Sequence, residues 1–359
     1  MINKTNIKNL TFTEIINYFG DKGYPKYRAE QLFQWIYKDI EDFSQIKNMP
    51  KNIIEMLTND FYIDRTAIVR KQESQYDGTA KYLLKFNDGN AVEAVLMHYE
   101  HGRSICISTQ VGCRMSCSFC ASTLDGLVRN LTCGEMLEEV MAIERDIKAK
   151  ISNIVLMGSG EPFDNYDEVI KFIRIINASK GMNIGTRHIT ISTCGVVPKI
   201  YDFIKEKLQC TLAISLHSAK NQRRSEIMPI NKKYSISEII TACRQYTMET
   251  KRRVTFEYAL IRDVNDTKED AHELGRLLKG MLCHVNLIPV NSVEGKTYSK
   301  SEHNTINHFR DILEGYGIET TVRRELGSDI DAACGQLRQK YLEQINYHNW
   351  RVLKSICRK

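Results

Sequence analysis

The sequence predicts an α/β fold: a partial (β/α) barrel with a small α-helical N-terminal domain and a β-hairpin extension. Three observations predict it. Residues 1–90 carry apolar side chains at helical spacing, an Asp-Gly step then separates two apolar runs, and beyond residue 100 short strand-like runs alternate with longer helical stretches.

In the first unit Ala29, Leu32, Phe33, Ile36 and Tyr37 fall on one helical face, and Ile53, Ile54 and Leu57 on another. Next, the apolar runs Tyr82 to Phe86 and Ala91 to Met97 flank Asn87-Asp88-Gly89-Asn90, a turn suited to a hairpin. The runs SICIST, NIVLMG, HITIST, CTLAISLHS, VTFEYALI, HVNLIPV and TTVRREL come after it as strands of a closed or part-closed parallel barrel. Several end in small or polar residues, at 158–161, 192–195, 217–218 and Asn291. Ligands gather at the carboxyl ends of parallel strands, so these positions are expected to face one site. The expected domains are 1–90, helical with the hairpin linker; 91–337, catalytic; and 338–359, a helical tail.

A hydrophobic share of 42% and a charged share of 26% are those of an ordinary globular protein, and no apolar run is long enough to span a membrane. The first residues lack the features of a secretory signal, so the expected location is cytoplasmic. Eleven cysteines in so large a chain then point to metal ligands, redox catalysis or reduced thiols. The net charge of +6 fits either a polyanionic partner or a merely soluble surface.

Cys113, Cys117 and Cys120 come just after the first barrel strand in the spacing C-x3-C-x2-C. Three thiolates can grip three irons of a cubane and leave the fourth open. A structural zinc site, the alternative, wants a fourth ligand, and no neighbouring second pair of cysteines is present. The triad resembles the defining motif of the radical S-adenosylmethionine (SAM) superfamily, with Phe119 in the aromatic place before the last cysteine.

The phrases CSFCASTLDGLVRNLT, GSGEPFDN, ISTCGVVP, AISLHS, IMPINKKY, HVNLIPVN and DIDAACGQL, in this order over residues 93–337, closely resemble the RlmN/Cfr group of radical SAM RNA adenosine methyltransferases. GYPKYRAEQLFQWIY resembles that group's small N-terminal domain, thought to help hold RNA. The resemblance implies one [4Fe-4S] cluster on Cys113, Cys117 and Cys120, and two SAM molecules per turnover. It implies that Cys334 carries the methyl group as S-methylcysteine, that Cys106 breaks the enzyme–RNA adduct through a disulfide with Cys334, and that Glu93 removes the adduct's proton. Gly160, Glu161, Ser192, Ser215, Leu216, His217 and Asn291 match the SAM contacts. From spacing alone Glu93 equally suits a solvated strand carboxylate, and Cys334 a packed thiol. Two departures from the pattern are Ser159, where methionine is common, and Cys194, where serine is common.

The implied chemistry fits the target. Carbon 2 of adenine is an electron-poor aromatic carbon without a lone pair, so it cannot attack the methyl of SAM directly, and a radical route is required. The implied substrates are 23S rRNA and the anticodon loop of tRNA, with flavodoxin or ferredoxin as electron donor and a monomeric enzyme. Arg129, Lys232, Lys233, Arg252, Arg253, Arg323 and Arg324 form a candidate phosphate rim or an ordinary solvated face. Glu161-Pro162 and HVNLIPVN look like the carbon-2 branch; the alternative is the carbon-8 branch that gives antibiotic resistance. A reading of another class, a non-catalytic Fe-S protein that binds RNA, would need neither Cys106 nor Cys334.

Overall fold

The computed structural model describes residues 4–100, 102–290, 298–327 and 329–330. The first unit opens with β1 (Thr5–Asn6) and three helices, α1 (Phe12–Asp21), α2 (Lys26–Ile36) and α3 (Lys51–Asp60), and ends with β2 (Phe61–Tyr62), which pairs with β1 in parallel. Thr11 and Glu14 form a capping box that fixes the start of α1. The faces read from the sequence are the buried ones: Ala29, Leu32, Phe33 and Ile36 on α2, and Ile53 and Leu57 on α3.

Strands β3 (Ala67–Glu73), β4 (Ala80–Lys85), β5 (Ala91–Tyr99) and β6 (Gly102–Ile107) run antiparallel to one another in sequence. The hairpin expected around Asp88-Gly89 is the β4–β5 connection, with Lys85 opposite Ala91. After a small hairpin of β7 (Gln110–Gly112) and β8 (Leu127–Asn130), the chain alternates α4 (Cys133–Ile147), β9 (Asn153–Leu156), α5 (Tyr166–Ile176), β10 (Ile189–Thr193), α6 (Val197–Lys205) and β11 (Thr211–Ser215). Then come α7 (Asn221–Ile227), α8 (Ile236–Thr250), β12 (Val254–Leu260), α9 (Lys268–Leu278), β13 (Cys283–Pro289), α10 (His303–Gly315) and β14 (Glu319–Val322).

One sheet of ten strands results, in the order β14-β13-β12-β11-β10-β9-β6-β5-β4-β3. From β6 through β14 every neighbouring pair in that order is parallel, the pattern expected of strands separated by helices. The antiparallel hairpin strands extend the same sheet, so residue 90 lies within the turn between two paired strands. The N-terminal helices share one apolar core with α4 and the barrel. Lys8, fully buried, seals this junction: its ammonium pairs with Glu138 and donates to the Asp64 carbonyl at 2.8 Å. Among the described residues no helix is long and apolar enough to cross a membrane.

Candidate active site

The carboxyl ends of the parallel strands open into a cavity of about 350 Å³. Cys106 of β6 lines it, together with Cys113, Cys117 and Cys120 from the loop between β7 and β8. So do Gly160 and Glu161 after β9, Ser192 and Cys194 at β10, Ser215 and His217 at β11, and Glu257 on β12. The fold thus gathers into one space nine of the thirteen site residues expected from sequence. Leu216 is fully buried behind the wall, its N–H donating to the Glu257 carbonyl at 3.1 Å. Glu93 stands on β5 two residues before Val95, hence on the same face, and Val95 lines the cavity. Asn291 and Cys334 lie outside the described residues, as does Cys357.

The cysteine loop is shaped by its own backbone. The Cys113 N–H donates to the Gly126 carbonyl at 2.9 Å, the Cys120 N–H to the Cys117 carbonyl at 3.2 Å, and the Thr123 hydroxyl to the Cys120 carbonyl at 2.9 Å. Ser118 ties the loop to the far wall through the Ile227 carbonyl, at 2.9 Å from its N–H, and through the Tyr298 hydroxyl at 2.8 Å. Burial pushes the Cys113 thiol up to about 12 and the Cys117 thiol upward as well, and the charges of the neighbouring cysteines add to both shifts. Three thiolates crowded here need cationic iron to hold them deprotonated. Among the described residues no three metal-binding side chains converge on a point suited to one ion. Three thiolates on one loop would hold three irons of a cubane. Cys117, Met228, Ile227 and Cys194 pack as an apolar nest, with Met115 and Phe119 against it.

Glu161 is buried and accepts the N–H groups of Cys194 at 2.7 Å and Phe163 at 2.9 Å. Burial raises its carboxyl; Thr193, Cys194 and Phe163 oppose the rise through hydrogen bonds. Gly160 has φ +108°, and a Cβ there would lie 2.7 Å from Gln110 and Thr109. Its need for glycine therefore arises from protein packing as well as from backbone shape. His217 is buried and its pKa falls to about 3, through burial and the Arg224 charge. Its Nδ1 accepts the Ala259 N–H at 2.9 Å, which places the proton of the neutral ring on Nε2, and Phe119 packs edge-on at 4.9 Å.

Three buried groups escaped the sequence reading. Arg224, fully buried, donates to the carbonyls of Cys194 at 2.7 Å, Ser215 at 3.1 Å and Leu216 at 3.0 Å, binding two strand ends together. Lys81 on β4 lies 3.0 Å from the Glu93 carboxylate, its side chain 0% exposed against 8% for Glu93. Glu93 is therefore a buried, ion-paired group and not a solvated strand carboxylate. Replacing Lys81 with Met should cost about 3–5 kcal/mol, because a buried carboxylate loses its neutralising cation. Urea melts would show this, and the pairing of Lys81→Met with Glu93→Leu should recover much of it.

Glu257 is the third. Burial lifts its carboxyl to about 7 against the pull of Arg323 and of Asn286, whose amide donates to it at 2.8 Å. The unfolded chain, in which this group ionises near 4.5, releases its proton first as pH rises, so folding stability falls between those two values. Glu257→Gln removes this dependence. The variant should gain about 3 kcal/mol over the parent above pH 7 and nothing below pH 4.5, read from urea melts at several pH values.

The basic residues do not form one rim. Arg323 and Arg324 line the cavity. Arg252 and Arg253 precede β12 and so stand at the amino ends of the strands, away from the site, with Arg253 paired to Glu319. Arg129 is held by Asp88 at 2.6 Å and Glu135 at 2.7 Å. Lys232 and Lys233 are exposed beside Arg114 on a second groove. Cys133, Cys210, Cys243 and Cys283 are buried thiols.

Comparison with known proteins agrees with this geometry. Residues 107–275 match the Radical SAM superfamily, and residues 5–63 match the ribosomal RNA large subunit methyltransferase N-terminal domain. The chain is 56% identical over 338 residues to a probable dual-specificity RNA methyltransferase RlmN of Clostridium botulinum (strain Eklund 17B / Type B), covering 94% of this chain and 97% of that protein. It is 53% identical over 340 residues to the protein of the same description from Thermoanaerobacter sp. (strain X514), covering 94% of this chain and 99% of that one. The crystal structure of a radical SAM methyltransferase from Sphaerobacter thermophilus superposes with a TM-score of 0.87 at 43% identity, over 92% of this chain and 98% of the other.

Proposed function

Since this chain belongs to the RlmN family of radical SAM dual-specificity RNA methyltransferases, we propose that it methylates carbon 2 of one adenosine in 23S rRNA and one in the anticodon loop of tRNAs. The enzyme uses a [4Fe-4S] cluster and SAM and transfers a methyl group to RNA. One observation carries the finer reading: a single cavity is lined by Cys106, by the cysteine triad, and by Gly160, Glu161, Ser192, Ser215 and His217 at successive strand ends.

In this reading Cys113, Cys117 and Cys120 hold three irons. Glu161 would pair with the ammonium of SAM, and Gly160, Ser192, Ser215, Leu216, His217 and Asn291 would hold the rest of the molecule. When bound, the cluster and SAM supply the methyl group and the one-electron chemistry that an unreactive aromatic carbon requires. Cys334 takes the methyl as a thioether; one hydrogen atom of it would be lost to a SAM-derived radical, the remaining carbon would bond to the base, and the unpaired electron left on the adduct would return to the cluster. Glu93, held by its ion pair with Lys81, removes the proton from adenine carbon 2. The Cys106 thiolate then attacks the Cys334 sulfur. A sulfur–sulfur bond forms, the carbon–sulfur bond breaks, and its electron pair stays with the new methyl carbon, which takes up a proton. External reductant must reopen that disulfide before the next turnover.

The target base has to leave its stack to enter the cavity, at a cost of a few kcal/mol, which favours loops and junctions. The same reading assigns flavodoxin or ferredoxin as electron donor, a monomeric enzyme and a cytoplasmic location. Mass spectrometry of rRNA and tRNA from a host lacking its own enzyme and carrying this chain tests it. The expected product is 2-methyladenosine in both RNAs; 8-methyladenosine alone would overturn the carbon-2 assignment.

A further inference from the structure

Two segments about 250 residues apart in sequence meet beside the cavity and hold each other through paired carboxylates. The first is the β3–β4 turn, residues 74–79, whose last residue Thr79 lines the cavity. The second lies beyond β14: Glu325 and Leu326 line the cavity, and Gly327 and Asp329 come next. One Asp329 carboxylate oxygen accepts the buried Ser74 hydroxyl at 2.6 Å, and the other accepts the Gln75 N–H at 2.8 Å. In return the Asp77 carboxylate accepts the Gly327 N–H at 2.9 Å through one oxygen and the Thr79 N–H at 2.9 Å through the other.

The backbone on both sides is shaped for this exchange. Gly78 and Gly327 have φ +69° and +61°, in the left-handed region that glycine enters without strain. The turn is closed by the Ser74 N–H donating to the Thr79 carbonyl at 2.8 Å, and its hydroxyl also accepts the Tyr76 N–H at 3.2 Å. On the other segment the Ile330 N–H donates to the Gly327 carbonyl at 3.1 Å. Both carboxyls are held below their usual range. Burial works against this at Asp77, where the N–H groups of Gly327 and Thr79 prevail, and the Ser74 hydroxyl leads at Asp329.

We propose that the β3–β4 turn is a positioning clasp for Cys334, with Ser74 and Asp77 as positioning residues that fix the point from which the cysteine-bearing segment departs. This rests on the reading of Cys334 as the methyl carrier. Cys334 is five residues beyond Asp329, so chain length alone keeps its Cα within about 18 Å of the clasp. A tether of that length beside the cavity limits the search of the sulfur for the methyl of SAM, and small displacements of reacting groups are costly.

The test uses the full chain with its cluster reconstituted. Methyl loading of Cys334 from SAM is monitored in a single turnover by mass spectrometry of its peptide, in the parent and in Ser74→Ala, Asp77→Ala and Asp329→Ala. Iron content and SAM affinity are measured beside it. Each variant should load about tenfold or more slowly, with iron and SAM affinity unchanged. Ser74→Thr, which keeps the hydroxyl, should restore the rate, and Ser74→Ala with Asp329→Ala should be slower than Asp329→Ala alone by less than Ser74→Ala slows the parent, because the Ser74–Asp329 bond is lost in both single variants. Loading at the parental rate in all three single variants would overturn the clasp while leaving Cys334 as methyl carrier. A parent whose Cys334 peptide never gains a methyl would overturn the reading of Cys334 itself and the clasp with it.

Discussion

Cys117→Ser is expected to yield a folded protein that has lost its iron and has no measurable RNA methylation. Cys117 is 8% exposed and packs against Cys194, Ile227 and Met228, so the change is nearly isosteric and leaves the nest intact. What changes is the donor. A hard alkoxide or hydroxyl oxygen replaces a soft thiolate, the ligand type that iron–sulfur clusters select. The same result is expected for Cys113→Ser and Cys120→Ser, because the loop offers no fourth cysteine to substitute. Iron per chain, visible absorbance and methylation of an rRNA fragment check this together. Four irons per chain and full activity in any one of the three variants would remove that cysteine from the cluster.

The second large effect concerns Cys106, which lines the same cavity from the middle of the sheet. On β6 it stands opposite Val95 on one side and Val155 on the other, so a rigid strand aims its sulfur. Cys106→Ala should still carry methyl-loaded Cys334 as far as the covalent adduct with RNA and then stop. No thiolate is present to release that bond. Turnover is then limited to at most one event per chain, and protein–RNA conjugates accumulate. A denaturing gel with labelled RNA would show them as a slow band, and Cys106→Ala combined with Cys334→Ala should abolish the band. Multiple turnovers by Cys106→Ala would end its assignment as the resolving thiol.

The parts of this site legible in the sequence are those whose chemistry is written locally. Cys113, Cys117 and Cys120 sit within eight residues, so spacing alone exposed them, whereas Gly160 and Glu161 were legible only through the resemblance of their motif to the family's. The barrel was legible because the strand runs are short and apolar and those from β9 to β13 are each succeeded by a helix. Lys81 and Glu93 form their pair across two strands joined by a turn, and a lysine between Ala80 and Tyr82 carries no sign of burial. Arg224 became visible only when the strand ends it binds were in place. Arg252 and Arg253 failed as rim residues for a topological reason. They stand at the amino end of a strand, whereas the cavity opens at the carboxyl ends.

The strand order also bears on how the holoenzyme is made. From β9 to β14 each strand lies beside the one synthesised before it, so the sheet can be assembled outward as the chain leaves the ribosome. The cysteine loop emerges early, at residues 113–120, but its apolar nest needs Cys194, Ile227 and Met228, made about a hundred residues later. A cluster delivered to the nascent chain would meet three thiols open to water and oxygen. Until the chain has passed Met228 the nest around Cys117 cannot close, so that thiol stays open to oxidation for longer than its early place in the sequence suggests.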